Sequence, residues 1–333
     1  MMTNPATASA HSGMGTASEL DAVARRYAVK TTPFLESLMA GAGAEDPLVR
    51  QFRPDARELL TTLDEVPDPI GDDAKSPLPG IVHRYPDRLL LKPVHVCAAY
   101  CRFCFRREVV GPGGETLTEA QLEAALAYIA AQPKVWEVIL TGGDPLLLSP
   151  RRVRRITEAL DALPQVEIIR WHSRLPVHDP AKVTEELIAA LTAGKRLVPW
   201  VAVHANHADE FVPEVVAAVR RLADAGIPLV SQSVLLRGVN DTAEALEALF
   251  RAFVRNRIKP YYLHHPDLAP GTSHFRLPVD EGRALMKSLR GRVSGLGLPT
   301  YILDRPGGLG KVPLGPAWPE DWSDGTGPDV LTY

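Results

Sequence analysis

Short apolar runs and longer amphipathic stretches alternate through the middle of the chain. The apolar runs are 88–96, 136–140, 166–171, 197–203, 228–235 and 260–263. Each is followed by apolar residues at helical spacing, over 118–131, 150–163, 181–193, 213–225, 242–256 and 279–290. Six strand-then-helix units in series predict a parallel sheet covered by helices. A closed eight-unit barrel would need two more units, and only the short run 300–303 remains. A partial (β/α)6 barrel of the TIM type is therefore the better fit. Ahead of it, 19–28 and 33–40 read as short helices followed by prolines and acidic turns. The expected division is a disordered tail over 1–18, a helical N-terminal layer over 19–80, the barrel over 81–290, and a glycine-rich lysine loop with an extended tail over 291–333.

Polar residues fall at the ends of the apolar runs. The first run reaches three cysteines, and the second reaches Thr141, Gly142, Gly143, Asp144 and Pro145. The third ends in His172, Ser173 and Arg174, and the fourth in His204, Asn206 and His207. The fifth carries Ser231, Gln232 and Ser233, and the sixth runs into His264, His265 and Asp267. A β/α barrel collects its active site at the carboxyl ends of its strands. The polar residues lie where that rule puts them, at all six runs.

Bulk properties narrow the classes. The chain has 333 residues, 45% hydrophobic and 23% charged, enough for one large core. The net charge of −3 gives no basic excess for nucleic acid. The basic run 151–155 reads as one solvated helix face. No apolar stretch approaches a membrane span. The start of the chain lacks a basic region followed by an apolar block, so no export signal is expected.

The three cysteines are Cys97, Cys101 and Cys104, spaced C-x3-C-x2-C. An odd number cannot pair within the chain. Soft thiolates suit an iron–sulfur cluster. Structural zinc usually takes four protein ligands, and His95 lies too close to Cys97 to be an easy fourth. A [4Fe–4S] cluster on three thiolates leaves one iron for a small molecule. Reduced thiols point to the cytoplasm.

Other motifs allow two readings each. Gly142-Gly143-Asp144-Pro145 is either a plain βα turn or a place where backbone approaches a ligand. The segment Arg305 to Lys311 is not a phosphate loop, because no Ser or Thr follows the lysine and Arg305 stands at the first glycine position. Lys311 is then a surface lysine or a nucleophile on a flexible loop. Arg84, Tyr85 and Arg88 suit a phosphate dianion, or a surface ion pair with Asp87. Asp267 and Asp304 suit a remote ammonium group, with a turn or cap role as the alternative for Asp304.

The cysteine trio, with His83-Arg84-Tyr85-Pro86-Asp87-Arg88 before it and Phe105-Arg106-Arg107 after it, resembles the lysine 2,3-aminomutase family of radical S-adenosylmethionine (SAM) enzymes. The resemblance runs from about residue 47 to about 317. It implies the radical SAM partial barrel, a [4Fe–4S] cluster, SAM and pyridoxal 5′-phosphate (PLP). It implies that Cys97, Cys101 and Cys104 hold the cluster. Gly142, Gly143, Asp144, Pro145, His204 and Gln232 would then hold SAM, with Ser173 and Arg174 nearby. Lys311 would form the Schiff base, and Arg84, Tyr85 and Arg88 would bind PLP. Arg106 would take the substrate carboxylate, with Arg107 as competitor, and Asp267 and Asp304 the distal ammonium of L-lysine. Leu309 replaces one glycine of the family's loop.

The implied reaction is conversion of L-lysine to β-lysine by 2,3-amino migration, with an electron donor such as flavodoxin or ferredoxin. A homo-oligomer is compatible with this. The alternatives are the same reaction serving β-lysylation of elongation factor P, a 2,3-aminomutase for another amino acid, a radical SAM enzyme without PLP, and a non-enzymatic iron–sulfur protein.

Overall fold

The computed structural model describes residues 14–111, 114 and 116–315. The expected tails fall outside these residues at 1–13 and 316–333. Residues 14–18 do not behave as a tail, because helix α1 (Ala17–Arg26) already starts there. Thr16 caps it, accepting from the Glu19 backbone while Glu19 caps Thr16 in return.

The sheet has nine strands among the described residues, in sequential order. They are β1 (Ile81–Tyr85), β2 (Arg88–Val94), β3 (Glu137–Gly142), β4 (Ile168–Ser173), β5 (Val198–His204), β6 (Leu229–Val234), β7 (Ile258–His264), β8 (Thr300–Arg305) and β9 (Gly310–Pro313). Strands β2 to β8 run parallel. Strands β1 and β9 lie antiparallel at the two edges. The six expected strands are β2 to β7, and the leftover run 300–303 is the seventh parallel strand. β8 and β9 therefore carry the barrel past the boundary expected at residue 290. The edge strands meet where the Lys311 amide donates to the Tyr85 hydroxyl at 2.9 Å.

Pleating explains both the core and the cavity. Leu89 and Leu91 of β2 are buried, as are Ile169 and Trp171 of β4. These outward residues pack against Leu122, Ile129, Val153 and Ile156 of the surrounding helices. Successive side chains point to opposite faces, so Leu90, Ile139, His172 and Gln232 face inward. That inner face mixes Leu90 and the buried Ile139 with the half-buried His172 and Gln232, and it lines open space.

The crossovers are α4 (Glu119–Ala130), α5 (Pro150–Asp161), α7 (Glu185–Leu191), α8 (Pro213–Asp224), α9 (Ala243–Arg255) and α10 (Val279–Ser288), with a single turn α6 (Leu175–His178) ahead of α7. Thr118, Ser149, Thr184 and Thr242 cap α4, α5, α7 and α9 through their hydroxyls. The expected helix over 181–193 starts later, because Asp179, Pro180 and Lys182 form a separate 3-10 turn. None of the described helices is long and apolar enough to cross a membrane.

The N-terminal layer holds α2 (Pro33–Leu38) and α3 (Pro47–Phe52) besides α1. It grips the cysteine loop: the Tyr100 amide donates to the Lys30 carbonyl at 2.9 Å and the Arg102 amide to the Gln51 carbonyl at 2.8 Å. Beneath these bonds Glu58 is fully buried between Arg102, whose Nε lies 2.9 Å from it, and Arg107. Arg107 also stacks 3.6 Å over the Tyr27 ring and donates to the Gly271 carbonyl at 3.1 Å.

Candidate active site

Seven parallel strands end on one side, and one cavity of about 230 Å³ opens there. Its walls combine the cysteine loop, Gly142 to Asp144, His204, Gln232 and Arg106 with Asp267 and Asp304. A second space of about 320 Å³ lies alongside, lined by Arg84, Tyr85, Arg88, Arg170 and Lys311. Leu90, His172 and Gln232 border both.

The three cysteines carry free thiols, all half-buried. Arg174 donates to Cys101 Sγ at 3.0 Å. Burial pushes the Cys104 thiol up to about 11, and burial with the nearby Asp144 charge pushes Cys97 well above its ordinary range. Such sulfurs ionise when a cation arrives, and cluster iron is one. Among the described residues no three His, Cys, Asp or Glu side chains converge on a single ion. Three soft thiolates on one loop are a donor set that suits an iron–sulfur cluster.

Gly142 has φ +112°, and a Cβ there would lie 2.5 Å from the Val94 carbonyl oxygen. A Cβ on Gly143 would lie 2.3 Å from that of Val96. Both glycines are needed for the close approach of β3 to β2. The Gly143 amide donates to Val94 and the Asp144 amide to Val96, at 2.7 and 2.9 Å. Those amides are spent on the fold, which leaves carbonyl oxygens, suited to an ammonium group. The Asp144 carboxylate faces protein, accepting from Ser173 Oγ at 2.7 Å and from the Arg174, Leu175 and Leu146 amides. It positions the end of β4.

Arg174 is buried among Cys101, Gln51 at 3.1 Å and Glu210 at 2.6 Å. Asn206 donates to Gln51 at 3.0 Å and lies 3.2 Å from His204 Nε2. The β5–β6 register sets His204 beside Gln232. Burial and the Arg174 charge hold His204 well below its ordinary range, so its ring is neutral.

Arg106 faces the cavity, whereas Arg107 is held by Glu58 and Tyr27. Asp72, which the sequence reading passed over, joins Arg106 at 3.0 Å, Arg84 at 3.2 Å and Lys92 at 3.7 Å. The Nε atoms of Arg84 and Arg106 are buried with no acceptor, as is His172 Nε2. Unmatched buried donors are costly unless a ligand completes them. Two guanidiniums with spare donors fit anionic groups such as a phosphate and a carboxylate. Arg88 pairs with Asp87 at 2.7 Å and stacks on Tyr85 at 3.8 Å. Arg170, also passed over, lies 3.0 Å from Glu137; its alternation with His172 on β4 was the available signal.

Asp304 and Lys311 are directly opposed across β8 and β9. Lys311 Nζ donates to Asp304 Oδ1 at 2.6 Å and Oδ2 at 2.5 Å. His264 Nδ1 stands 3.4 Å from Asp304. Burial alone would raise Asp304, yet His264 and Lys311 hold it well below the usual carboxylate range. Asp267 has burial and the Asp304 charge beside it, which push it up to about 7. In the loop between β8 and β9, Gly307, Gly308 and Gly310 take positive φ, while Leu309 has φ −78° and is exposed. A leucine is accommodated at 309, where no left-handed backbone is needed, whereas a Cβ on Gly310 would lie 2.7 Å from the Tyr85 hydroxyl.

This arrangement is that of a radical SAM enzyme, and the Radical SAM superfamily model matches residues 91–251. L-lysine 2,3-aminomutase of Clostridium subterminale is 42% identical over 286 residues, covering 86% of this chain and 68% of that protein. The enzyme of the same name from Fusobacterium nucleatum subsp. nucleatum is 41% identical over 288 residues, covering 86% and 67%. Among solved structures, a radical SAM methyltransferase from Sphaerobacter thermophilus aligns with TM-score 0.48 at 21% identity, covering 67% of this chain and 68% of that one. The chain belongs to the lysine 2,3-aminomutase family, a family of radical SAM isomerases.

Proposed function

We propose that the protein converts L-lysine to β-lysine by moving the amino group from C2 to C3. One observation carries this: a single cavity is lined by the Arg106 guanidinium and by the Asp267 and Asp304 carboxylates, which complement an amino acid with a carboxylate and a distal ammonium. The cysteine loop borders the same space, so hydrogen abstraction and substrate share one chamber.

Cys97, Cys101 and Cys104 would hold the cluster. Carbonyl groups of the Gly142–Gly143 turn, with His204 and Gln232, would hold SAM, while Asp144 and Pro145 shape that turn. Arg84, Tyr85 and Arg88, joined by Arg170, would hold the phosphate of PLP beside Lys311. When bound, the cluster and SAM supply one-electron hydrogen abstraction, and PLP supplies an aldehyde carbon that carries the nitrogen between C2 and C3. The protein's residues do the rest. Arg106 and the two aspartates fix both ends of the substrate, so that C3 rather than another carbon faces the radical source. The neutral rings of His172 and His204 can donate hydrogen bonds without adding charge. Half-burial of the inner face limits water, which protects a reactive radical.

The electron comes from a small reductant of the flavodoxin or ferredoxin kind. A second small pocket, bordered by Tyr27, Tyr100 and Val110, also reaches Cys97, Cys101 and Cys104, and supports this reading. The cytoplasm is the compartment that suits such a cluster.

The test is anaerobic reconstitution with iron, sulfide, PLP, SAM and dithionite, followed by L-lysine and chiral separation of products. The expected result is β-lysine without net loss of SAM. Cleavage of SAM with no β-lysine would overturn the substrate assignment.

A further inference from the structure

Two residues assigned to different ligands are bonded to each other. Lys311 is the proposed attachment point for an aldehyde, and Asp304 the proposed partner of the substrate's distal ammonium. In the structure Lys311 Nζ spends two donors on the two oxygens of Asp304, at 2.6 and 2.5 Å. Lys311 thus occupies the acceptor that the substrate's ammonium needs. The antiparallel register of β8 and β9 makes this pairing the default.

Condensation at Lys311 undoes the pairing. A C=N bond forms at Nζ and the aldehyde C=O bond breaks. The oxygen leaves as water with two of the three ammonium hydrogens. The nitrogen keeps at most one N–H, so Asp304 loses at least one of its two hydrogen bonds. Asp304 is 6% exposed, and a buried carboxylate short of donors is costly. His264 at 3.4 Å offers one donor at most, and Asp267 in the same cavity adds a like charge when it is ionised. An arriving ammonium has three donors. After the substrate's α-amine displaces Lys311, two ammonium groups stand before two carboxylates, Asp304 and Asp267, and the charges again match.

We propose that Asp304 is an exchange counter-ion, held by the Lys311 ammonium at rest and handed to the substrate's distal ammonium when Lys311 is taken up by an aldehyde. Attachment at Lys311 and binding of a distal cation then promote one another, as linkage between two sites requires. The proposal rests on the reading of Lys311 and Asp304 given above. It makes Asp304 a positioning residue for Lys311 as well as a substrate contact.

The test titrates the protein with PLP under anaerobic conditions, reading the imine absorbance. Borohydride reduction and mass spectrometry assign the adduct to Lys311. The probe is 5-guanidinopentanoate, a cation of lysine's length with no amine able to condense, and pentanoate is the control. The expected result is that the guanidino acid tightens PLP attachment about tenfold, while pentanoate does not. Asp304→Asn should attach PLP more tightly without the probe and no longer respond to it. An adduct at Lys311 whose affinity ignores the probe in the native protein would overturn the exchange and leave the cofactor reading intact. No adduct at Lys311 under any condition would overturn the cofactor reading itself, and the exchange with it. The native protein decides the first point whether or not the variant folds.

Discussion

Two arginine clusters flank the cysteine loop and differ in how completely they are satisfied. Around Glu58, Arg102 and Arg107 donate to one carboxylate and to the Ala28 and Gly271 carbonyls, with Arg107 Nε alone unmatched, and all three side chains are at least 96% buried. Around Asp72, Arg84 and Arg106 share one carboxylate with Lys92 and keep buried Nε donors that reach no acceptor. Both clusters set more cations than anions together in a low-dielectric place. The first closes on itself and ties the N-terminal layer to the cysteines. The second borders open space and is completed only by something anionic. Residue type does not separate an ion pair that holds a loop from one that receives a ligand; the open space beside Arg84 and Arg106 does.

The largest effect should come from breaking the closed cluster. Glu58→Ala leaves two guanidiniums buried without their anion, and loss of one partner of such a network costs about 3–5 kcal/mol. Chemical denaturation should show a lower midpoint with an unchanged slope. Reconstituted Glu58→Ala protein should also hold less iron, because Arg102 and Arg107 shape the loop bearing Cys101 and Cys104. A midpoint within error of the native protein would mean that the cluster is not what ties the layer to the loop.

Breaking the open cluster should instead leave stability close to native and cut activity. Arg106→Lys keeps the charge facing Asp72 but removes the planar fork that grips a carboxylate with two donors. Loss of a charge-assisted hydrogen bond of about 1.5–3 kcal/mol corresponds to a drop of roughly tenfold to a hundredfold in kcat/KM for lysine. The same assay on Arg107→Lys should separate the neighbours: that variant loses stability, since its side chain faces Glu58 and not the cavity.

Asp267 offers a smaller effect, readable through pH. Its carboxyl is raised to about 7 from an ordinary 3.8, by burial first and by the Asp304 charge second, with Lys311 and Arg106 opposing and Asp72 adding slightly. A folded-state value above the unfolded one means that the native protein holds the extra proton between these limits. Its contribution to stability is therefore full at acid pH and is lost as pH rises through about 7. Asp304, depressed instead, keeps its stabilisation throughout that window and loses it only in stronger acid. Asp267→Asn removes the penalty of a buried charge, so the variant should gain more in Tm over the native protein at pH 8 than at pH 5. Equal gains at both would place Asp267 in a solvated setting.

The barrel was legible because pleat and helix periods differ, and because β2 to β7 each carry an apolar outward face against the helices. The edge strands were not. β1 and β9 are short, and β9 is the four residues Gly310–Pro313, too few for a period to register. The cysteines and the glycine turn were legible as local spacings. Asp72, Gln51 and Glu210 were not, since each acts on a residue far away in sequence: Gln51 and Glu210 meet at Arg174 across 123 and 36 positions. Asp304 was read as a substrate partner from its residue type and the family resemblance. Its bond to Lys311 depends on a hairpin register that no composition reveals.

The smallest expected effect is at Leu309, between the glycines of that hairpin. Its φ of −78° is ordinary for any residue, and its side chain is 64% exposed. Gly310 beside it takes φ +86°, with the Tyr85 hydroxyl 2.7 Å from where a Cβ would stand. The two neighbours should therefore answer differently to the same change in size. Leu309→Gly adds freedom to the unfolded chain and should cost about 0.4–1 kcal/mol, without altering β-lysine formation. Gly310→Ala forces left-handed backbone and a clash onto the strand that carries Lys311, and should cost more in stability while weakening PLP attachment. If Leu309→Gly instead weakened attachment as strongly as Gly310→Ala, the loop's stiffness rather than its close approach to Tyr85 would be what places the lysine.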